Sequence, residues 1–438
     1  MFKTVTKAIA LFGLIAVMVS SIYAGGQQEE APTDEAVEER ETVRVLATFT
    51  GDYQNRFEAV LEDFTERTGI PAEYEPAGED MGTVLGTQIE GGDPPDVALL
   101  PQPGLMREFA AQGDLVPVED TVGDLVDANY AEVWRELGSY DDDLYGVWYK
   151  AANKSFFYYN TEIFGQAGVE PPETWSELME VAGIVSDFGI RPFSIGGGSA
   201  WTLTDWFENI YIHSAGPERY DQLIDHEIPW THDSVREAME IFGEIVSNRD
   251  WLAGGVDGTL EATHPEGIVR PFLDPPQAAI AYGADFSVAA ITDETDAEIG
   301  ETAGFFDFPT IDGSGPSVIG GGDVAVALSD NEETQEMMRY LASPEAAEVW
   351  APLGGFTSAN QQVDPDVYPD ELSRGSAEAL QEAEVFRFDL SDLQPSAFGA
   401  TDGQGMFGLL QDYVRNPDEL DEILEQLERE AAQAHGSD

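Results

Sequence analysis

Hydrophobic and polar positions first form a regular pattern near Thr42, and the period of that pattern then changes along the chain. Residues 43–49 (VRVLATF) alternate in the way that is typical of a strand. Residues 53–68 carry apolar side chains at helical intervals of three and four: Phe57, Val60, Leu61 and Phe64. Residues 96–100 predict another strand and residues 105–112 another helix. Alternating strands and helices predict an α/β fold with a mainly parallel sheet and helices on its faces.

Ligands of such sheets sit at the carboxyl ends of the strands. The segments 48–52 and 101–104 directly follow predicted strands, so we expect them beside one cleft. Farther along, Thr174 and Glu177 form a capping box that begins a well-signalled helix. Residues 254–272 lack periodicity and are predicted to be loop.

Residues 146–160 (GVWYKAANKSFFYYN) predict an extended strand, with apolar and aromatic runs on both sides of a short polar patch. The chain has four lysines, and two of them, Lys150 and Lys154, lie within this stretch. One interpretation is a strand that passes from one lobe to another beside a ligand. The other is a buried strand whose lysines reach solvent or pair with nearby carboxylates.

Length and composition narrow the class of protein. A chain of 438 residues is too long for one ordinary core, so two lobes are expected. It has no cysteine, which excludes disulfides, a thiol nucleophile, thiolate metal sites and a lipid-modified cysteine.

The formal net charge of −65 predicts a surface that repels nucleic acid and anionic lipid. Acidic residues spread along the whole length suggest, as a hypothesis, a protein adapted to saline surroundings.

The first 24 residues predict a secretory signal peptide. Lys3 and Lys7 precede an apolar run of twelve residues, and small residues follow it. A membrane span needs about 20 apolar residues, so cleavage after Ala24 is expected instead. Residues 25–41 are acidic and poor in apolar residues, which predicts a disordered leader. The mature protein is therefore expected free in a periplasm, without a lipid anchor.

Enzyme signatures are scarce. Ser194 and Ser199 lack the glycine spacing of a nucleophile elbow, and Gly403, Gly405 and Gly408 follow no predicted strand. The five histidines do not occur in metal-binding pairs on a helix. We therefore predict no catalytic residue, no metal and no cofactor, although two acids of a glycosidase remain an open alternative.

A different pattern recurs at predicted strand ends, where a glycine turn carries an aromatic residue, a carboxylate or both. Aromatic rings cover the C–H faces of sugars, and carboxylates and amides bond sugar hydroxyls. Core packing beside a turn explains each single instance better, and only their joint placement at predicted strand ends brings the sugar-binding interpretation level with it. The instances are Gly51 with Asp52 and Tyr53, Gly198 with Trp201 and Asp205, Gly283 with Asp285 and Phe286, Gly322 with Asp323, and Gly355 with Phe356.

Several segments resemble the extracellular solute-binding proteins (family 1) of sugar-importing ABC transporters, particularly the α-glucoside branch. The similarity covers the chain from about Thr42 onward. It is carried by PDVALLPQPGL (95–105), EVWRELGSYDDDLYGVWYKAANKSFFYYN (132–160), PPETWSEL (171–178), TDWFENIYIHSAGPERYDQLIDHEIPW (204–230), IGGGDVAVA (319–327), YLASPEAAEVW (340–350) and FRFDLSDLQP (386–395).

The resemblance implies a two-lobe fold like that of maltose-binding protein, with lobes joined by crossing hinge segments. Lobe 1 would comprise 42–149 and 308–342, and lobe 2 would comprise 150–307 and 343–438. The crossings would lie at 146–160, at 305–310 and near Ser343.

The resemblance also implies which residues face the ligand. Asp205 and Asp323 would accept hydroxyl protons, Lys150 and Gln102 would donate, and Trp201 and Phe356 would stack. The full expected set is Asp52, Gln102, Tyr149, Lys150, Trp201, Asp205, Asp285, Phe286, Asp323 and Phe356.

The implied function is a non-enzymatic, monomeric periplasmic component that delivers a sugar, an α-glucoside or another oligosaccharide, to the permease subunits of an importer. A secreted carbohydrate-active hydrolase and a binder of another solute, such as a polyamine, remain the alternatives.

Overall fold

The computed structural model of the chain describes residues 40–78, 80–382 and 385–436. The predicted signal peptide (1–24) and all but the last two residues of the predicted leader (25–41) lie outside the described residues. No helix within the described ranges is both long and apolar enough to cross a membrane.

Strands and helices alternate along the chain, as the sequence predicts. The strands are β1 (Val43–Ala47), β2 (Ala72–Pro76), β3 (Val97–Leu100), β4 (Ser139–Tyr140), β5 (Asp143–Leu144), β6 (Gly146–Asn153), β7 (Phe156–Asn160), β8 (Phe193–Ser194), β9 (Ile280–Gly283), β10 (Ala303–Asp307), β11 (Val318–Ala327) and β12 (Phe386–Phe388). The α-helices are α1 (Asp52–Thr68), α2 (Met81–Gly91), α3 (Pro103–Gln112), α4 (Glu119–Asn129), α5 (Glu132–Leu137), α6 (Thr161–Ala167), α7 (Trp175–Asp187), α8 (Trp201–Ala215), α9 (Pro217–Ile224), α10 (Asp233–Val246), α11 (Gly255–Glu261), α12 (His264–Val269), α13 (Ser287–Glu294), α14 (Glu332–Leu341), α15 (Pro344–Trp350), α16 (Glu371–Glu382), α17 (Leu390–Leu393), α18 (Ser396–Gly399), α19 (Gly405–Arg415) and α20 (Leu420–Ala434).

The first lobe is built on a sheet with the strand order β12-β11-β3-β1-β2, and β6 also pairs with β11. Strands β1, β2 and β3 run parallel, as predicted, and their side chains form a core with α1, where Phe57 and Phe64 are fully buried. β11 runs antiparallel to both β3 and β6. The sheet is therefore mixed rather than mainly parallel, because β11 returns to this lobe from the other one.

The second lobe is built on the sheet β10-β7-β9-β8. Here β7 is antiparallel to both of its neighbours, and β8 pairs parallel with β9. Helices α8, α10 and α19 pack around Trp206, Phe242 and Tyr413, which are buried.

Residues 146–160 cross between the lobes as two strands instead of the single predicted strand. β6 belongs to the first sheet and β7 to the second, and Lys154 and Ser155 join them. A second crossing, residues 308–317, joins β10 to β11. This arrangement confirms the two-lobe α/β fold with crossing segments.

The third crossing does not lie near Ser343, so the expected division of lobe 2 at 343 does not follow the packing. α15 packs on α1, and its Trp350 lies in the first core, where the centre of its ring is 5.0 Å from the centre of the Phe49 ring. β12 still pairs with β11 in the first sheet, and the chain leaves this lobe at Asp389, before Leu390 joins the second core. The proline at the start of α15 indicates where a helix begins, and it does not indicate that the chain changes lobe there.

Three glycines of β11 allow the crossing segments to approach closely. A Cβ atom at Gly322 would lie 2.3 Å from the Lys150 carbonyl oxygen, and one at Gly321 would lie 2.6 Å from Lys154 Cε. A Cβ at Gly320 would lie 2.3 Å from the ring of Phe386. A larger residue at Gly322 or Gly321 would therefore clash with Lys150 or Lys154, and one at Gly320 would clash with Phe386.

Candidate functional site

A cavity of about 270 Å³ lies between the two lobes. The first lobe lines it with residues 48–50, which follow β1, and with Pro101 and Gln102, which follow β3. These loops stand at carboxyl ends of parallel strands, where the sequence pattern predicts a cleft. The second lobe contributes Trp201 and Phe286, and the crossing segment contributes Lys150 and Lys154.

Lys150 and Asp323 face each other across the pair β6–β11, where they are register partners. Their side chains are nearly buried, and Lys150 Nζ lies 3.6 Å from Asp323 Oδ2. The same amine lies 4.6 Å from the centre of the Phe286 ring. Burial raises the pKa of Asp323, and the charge of Lys150 opposes that rise. The pair presents a donor and an acceptor side by side to the cavity.

Lys154 is surrounded by carboxyl groups. Its Nζ lies 3.2 Å from Asp205 Oδ1 and 3.7 Å from Asp392 Oδ2, and it also contacts Asp389. Burial acts to lower the pKa of Lys154, but these three acids together raise it well above the ordinary value. Nζ lies 5.3 Å from the centre of the Trp201 ring, so the amine reaches the cavity wall.

Burial raises the pKa of three acids around Lys154, namely Asp205, Glu208 and Asp392, and Asp389 is the one that ionises most readily. Burial raises the pKa of Asp205 despite Lys154, and the charge of Asp389 adds to that rise. Burial also acts to raise the pKa of Asp389, but Lys154 and hydrogen bonds from Asp205 and Glu208 lower it to about 2. Asp205 therefore carries a proton that it shares with ionised Asp389.

Among the described residues, the carboxylate oxygens of Asp205, Glu208 and Asp389 are close enough to hold a metal ion, lying within 4.8 Å of one another. Lys154 already supplies the cation at this group. The two oxygens of Glu208 accept hydrogen bonds from the backbone N–H groups of Leu390 and Ser391. The group is thus arranged around a lysine, and it ties the third crossing to α8.

A continuous aromatic wall closes one side of the cavity. The ring centre of His264 lies 4.8 Å from that of Trp201 and 5.5 Å from that of Phe286, and the centres of Trp201 and Phe286 are 6.0 Å apart. His264 Nε2 lies 2.9 Å from Ser287 Oγ. Burial lowers the pKa of His264 to about 3, with help from Lys154 and Lys150, so the ring is neutral near pH 7.

Of the ten residues expected to face a ligand, five line the cavity: Gln102, Lys150, Trp201, Phe286 and Asp323. Asp52 is exposed at the start of α1, outside the cavity. Asp205 is fully buried beneath Lys154.

Three more of the ten pack away from the cavity. Tyr149 neighbours Lys150 on one strand, so its side chain points to the opposite face and packs against Phe356 in the first core, with ring centres 5.2 Å apart. Asp285 accepts hydrogen bonds from Asn153 N and Thr357 Oγ1 at 3.1 and 2.8 Å. Asp285 thus links the loop after β9 to the crossing strand.

Sequence reasoning missed His264 and Asp392 as cavity residues. His264 begins α12, within the segment predicted to be loop, and a capping box of Thr263 and Glu266 precedes it. That T-x-x-E pattern was the available signal for a helix start. Asp392 carried no comparable signal, because only the third crossing brings it to Lys154.

The two lobes touch on both sides of the cavity. On one side, the Tyr53 hydroxyl donates to the Phe286 carbonyl at 2.5 Å, and Arg56 pairs with Asp293 at 2.6 Å. On the other side, Glu108 accepts hydrogen bonds from Ser396 N and Oγ, both at 2.7 Å. These contacts hold the lobes together around the cavity.

Comparison with known proteins agrees with this architecture. Residues 50–348 match the family model described as bacterial extracellular solute-binding protein. The osmoprotective compounds-binding protein GgtB of Synechocystis sp. is 36% identical over 90% of this chain and 93% of its own length. The alpha-glucosides-binding periplasmic protein AglE of Rhizobium meliloti is 32% identical over 82% of this chain and 81% of its own.

The fold also matches a solved structure, that of the bacterial solute receptor AcbH. The TM-score is 0.77 at 17% sequence identity, over 90% of this chain and 98% of the receptor. The family model and the two relatives confirm the family that the sequence segments indicate. The chain belongs to the bacterial extracellular solute-binding proteins (family 1).

Proposed function

We propose that the protein is the substrate-binding component of a sugar-importing ABC transporter, which captures a small neutral α-glucoside and delivers it unaltered to the membrane permease. The observation that carries the proposal is the composition of the cavity wall. Trp201 and Phe286 offer aromatic faces for sugar C–H groups, and Gln102, Lys150 and Asp323 offer hydrogen-bonding groups for sugar hydroxyls.

The charge balance of the cavity favours a neutral ligand. Lys150 faces Asp323, and Lys154 faces Asp392 and two deeper acids, so each cation already has a carboxylate partner. A polyamine would have to displace these lysines from the acids, and a phosphate ester would have to draw them away. A ligand with hydroxyl groups only adds hydrogen bonds to groups that are already neutralised.

The size of the cavity favours a short ligand. Ligand pockets in proteins run from about 300 to 1,000 Å³, and a cavity of about 270 Å³ is slightly smaller than that range. The names of the two relatives agree with a compact glucoside, since one is named for osmoprotective compounds and the other for alpha-glucosides. Long oligosaccharides fit this space poorly.

The proposal includes the route and the partners expected from the sequence. The protein would be exported by the signal peptide in residues 1–24 and act as a monomer in the periplasm without a lipid anchor. Its partners would be the sugar and the permease subunits, and it would not act as an enzyme. The relatives that match are named as binding proteins, which supports this part.

Isothermal titration of the purified protein with maltose, trehalose, sucrose, spermidine and glycerol phosphate tests the proposal. We expect one of the glucosides to bind and to be recovered intact by chromatography after long incubation. Recovery of glucose would instead support the hydrolase alternative. Binding of spermidine or glycerol phosphate, with no sugar bound, would overturn the proposed ligand class.

A further inference from the structure

Asp285 is a buried carboxylate that accepts hydrogen bonds from three separate segments of the chain. It is 3% exposed, and it lies in the loop between β9 and α13 of the second lobe. Its Oδ2 accepts from the Asn153 N–H at 3.1 Å and from Thr357 Oγ1 at 2.8 Å, and it also contacts Ser376 Oγ. Asp285 is not among the residues that line the cavity, so its carboxylate is committed to the protein.

Two of these three donors belong to the first lobe. Thr357 follows Phe356 of the first core, and its carbonyl accepts from the Ala151 N–H of β6 at 2.8 Å. Ser376 lies in α16, which packs on β6 and β11 of the first sheet. Asp285 therefore connects the lobes through a side chain, in addition to the segments in which the chain itself crosses.

The third donor places this connection at the hinge. The Asp285 N–H donates to the Asn153 carbonyl at 2.9 Å, and the Asn153 N–H donates back to the Asp285 side chain. Asn153 ends β6, directly before Lys154 and Ser155 join the two sheets. The loop of the second lobe is thus fixed to the point where the chain leaves the first lobe.

Apolar packing accompanies the hydrogen bonds. Leu372 of α16 belongs to the same buried cluster as Ile291 of α13. The loop after α15 also touches α13, since a Cβ atom at Gly355 would lie 2.7 Å from Ala289 Cβ. The segments of the first lobe that donate to the carboxylate therefore also cover apolar surface of α13, which favours contact between the lobes.

The carboxylate depends on these donors. An ionised carboxylate is costly to bury, and charge-assisted hydrogen bonds offset that cost. Burial raises the pKa of Asp285, and the hydrogen bonds from Ser376, Thr357 and Asn153 oppose that rise. Opening of the lobes would draw the first-lobe donors away from a carboxylate of the second lobe, so the complete set of bonds belongs to the closed arrangement.

We infer that Asp285 is a positioning residue that holds the two lobes together at the hinge and thereby raises the affinity for the sugar without contacting it. A protein that binds its ligand in the closed state binds more tightly as the closed fraction of the ligand-free protein rises. This inference rests on the proposed function, since it assigns a residue outside the cavity to the control of sugar binding.

Replacing Thr357 with Val tests the inference, because it removes one first-lobe donor and leaves the cavity wall unaltered. The full-length protein is titrated with maltose, trehalose and sucrose. We expect the dissociation constant of each sugar that binds to rise about three- to tenfold, mainly through faster release. Thr65→Val is the control, because Thr65 Oγ1 donates within α1, to the Leu61 carbonyl at 2.9 Å. A loss of affinity no larger than that of the control would overturn the inference.

Small-angle scattering provides a readout that a loss of stability alone would not change. The radius of gyration of sugar-free Thr357→Val should exceed that of the sugar-free unaltered protein, because a larger fraction of the molecules is open. Equal radii, with only a lower melting temperature in the variant, would overturn the inference and leave Asp285 with a purely structural role.

Two variants of Asp285 itself extend the test. Asp285→Ala should weaken sugar binding more than Thr357→Val does, because all three donors lose their acceptor. Asp285→Asn should recover part of that loss, since the amide oxygen still accepts. If Asp285→Ala does not fold, the comparison of Thr357→Val with its control decides the matter. Absence of sugar binding by the unaltered protein would reject the proposed function, whereas the scattering comparison needs no sugar and tests the inference separately.

Discussion

At the scale of single residues, Phe286 links three features of the site. Its ring lies under the Lys150 amine and beside Trp201, and its backbone carbonyl accepts the hydrogen bond of Tyr53 from the other lobe. The ring therefore belongs to the cavity wall, while the backbone belongs to the contact between lobes. A substitution of the side chain separates the two roles.

Replacing Phe286 with Leu should weaken sugar binding roughly three- to tenfold, because the aromatic face is lost while the apolar volume is largely kept. The Tyr53 contact should persist, since it uses only the backbone. Titration with the best-binding sugar measures the effect. Phe188→Leu is the matched control, because Phe188 is 57% exposed and lies outside the cavity. An equal loss in both variants, or none in Phe286→Leu, would remove the ring from the site.

The sequence identified five residues of the cavity wall but also selected five neighbours that lie elsewhere. The difference is one of side-chain direction. Tyr149 and Lys150 are adjacent on β6, yet one packs in the core and the other lines the cavity. The period-two alternation of a strand predicts that the two side chains point to opposite faces, but it does not predict which of them lines the cavity. That choice depends on where β11 places Asp323.

At the scale of elements, the junction around Lys154 ties three segments together. The lysine comes from the crossing strand, Asp205 and Glu208 come from α8, and Asp389 comes from the third crossing. Asp205 has one carboxylate oxygen, Oδ2, that is buried and receives no donor. This oxygen is the natural place for the proton that the raised pKa of Asp205 implies.

Replacing Asp205 with Asn should therefore flatten the dependence of stability on pH. The raised pKa of Asp205 means that the folded state binds this proton more tightly than the unfolded state does. Wild-type stability thus falls as pH rises from the ordinary carboxyl value, about 4, through the raised value, by about 1.4 kcal/mol for each unit of pKa difference.

The Asn side chain can accept a hydrogen bond from Lys154 and donate one to Asp389 at every pH. The variant should therefore lack the loss of stability that ionisation of Asp205 causes. Urea unfolding of both proteins between pH 5 and pH 9 measures the difference. An exposed acid on the last turn before α20, replaced in Asp418→Asn, provides the control. If Asp205→Asn loses the same stability at every pH, then ionised Asp205 is required as a partner of Lys154.

Helices that begin at a capping box or carry regularly spaced apolar residues were the most predictable elements. The capping box of Thr174 and Glu177 begins α7 as expected, and the apolar spacing of residues 53–68 gives α1. The third crossing was misplaced because its position is not a local property. α15 has a proline in its first turn, which marks where a helix begins and gives no information about its lobe. Only the packing of Trp350 against Phe49 assigns this helix to the first lobe.

At the scale of the whole molecule, contacts between the lobes bear on affinity, because a binding protein that closes on its ligand gains them only in the closed state. Arg56 of α1 and Asp293 of α13 form such a contact, and both side chains are largely shielded from solvent. An ion pair of this kind is worth about 1 kcal/mol or less.

Replacing Arg56 with Gln should raise the dissociation constant of the sugar about two- to fivefold, mainly through faster release, since the contact forms after encounter. Stopped-flow fluorescence measures the two rates separately. Arg67→Gln is the matched control, because Arg67 lies on the same helix and pairs with Asp63 within that helix. Equal effects from both variants would mean that the Arg56 pair does not report on closure.

The net charge of −65 also acts on the whole molecule. Self-repulsion of like charges destabilises the compact state, and salt shortens the range of that repulsion from about 10 Å at 0.1 M to about 3 Å at 1 M. We expect the melting temperature to rise with NaCl, most steeply at the low concentrations. A melting temperature that falls with salt would contradict the hypothesis of a saline habitat.

We propose that an intact, neutral glucoside binds between the lobes, against Trp201 and Phe286. The crystal structure of the protein with a disaccharide glucoside tests it most directly. We expect an unbroken sugar in the cavity of about 270 Å³, with ring faces on the two aromatic side chains and hydroxyls bonded to Lys150 and Asp323. A sugar bound elsewhere on the molecule, or a cleaved sugar in the cavity, would contradict it.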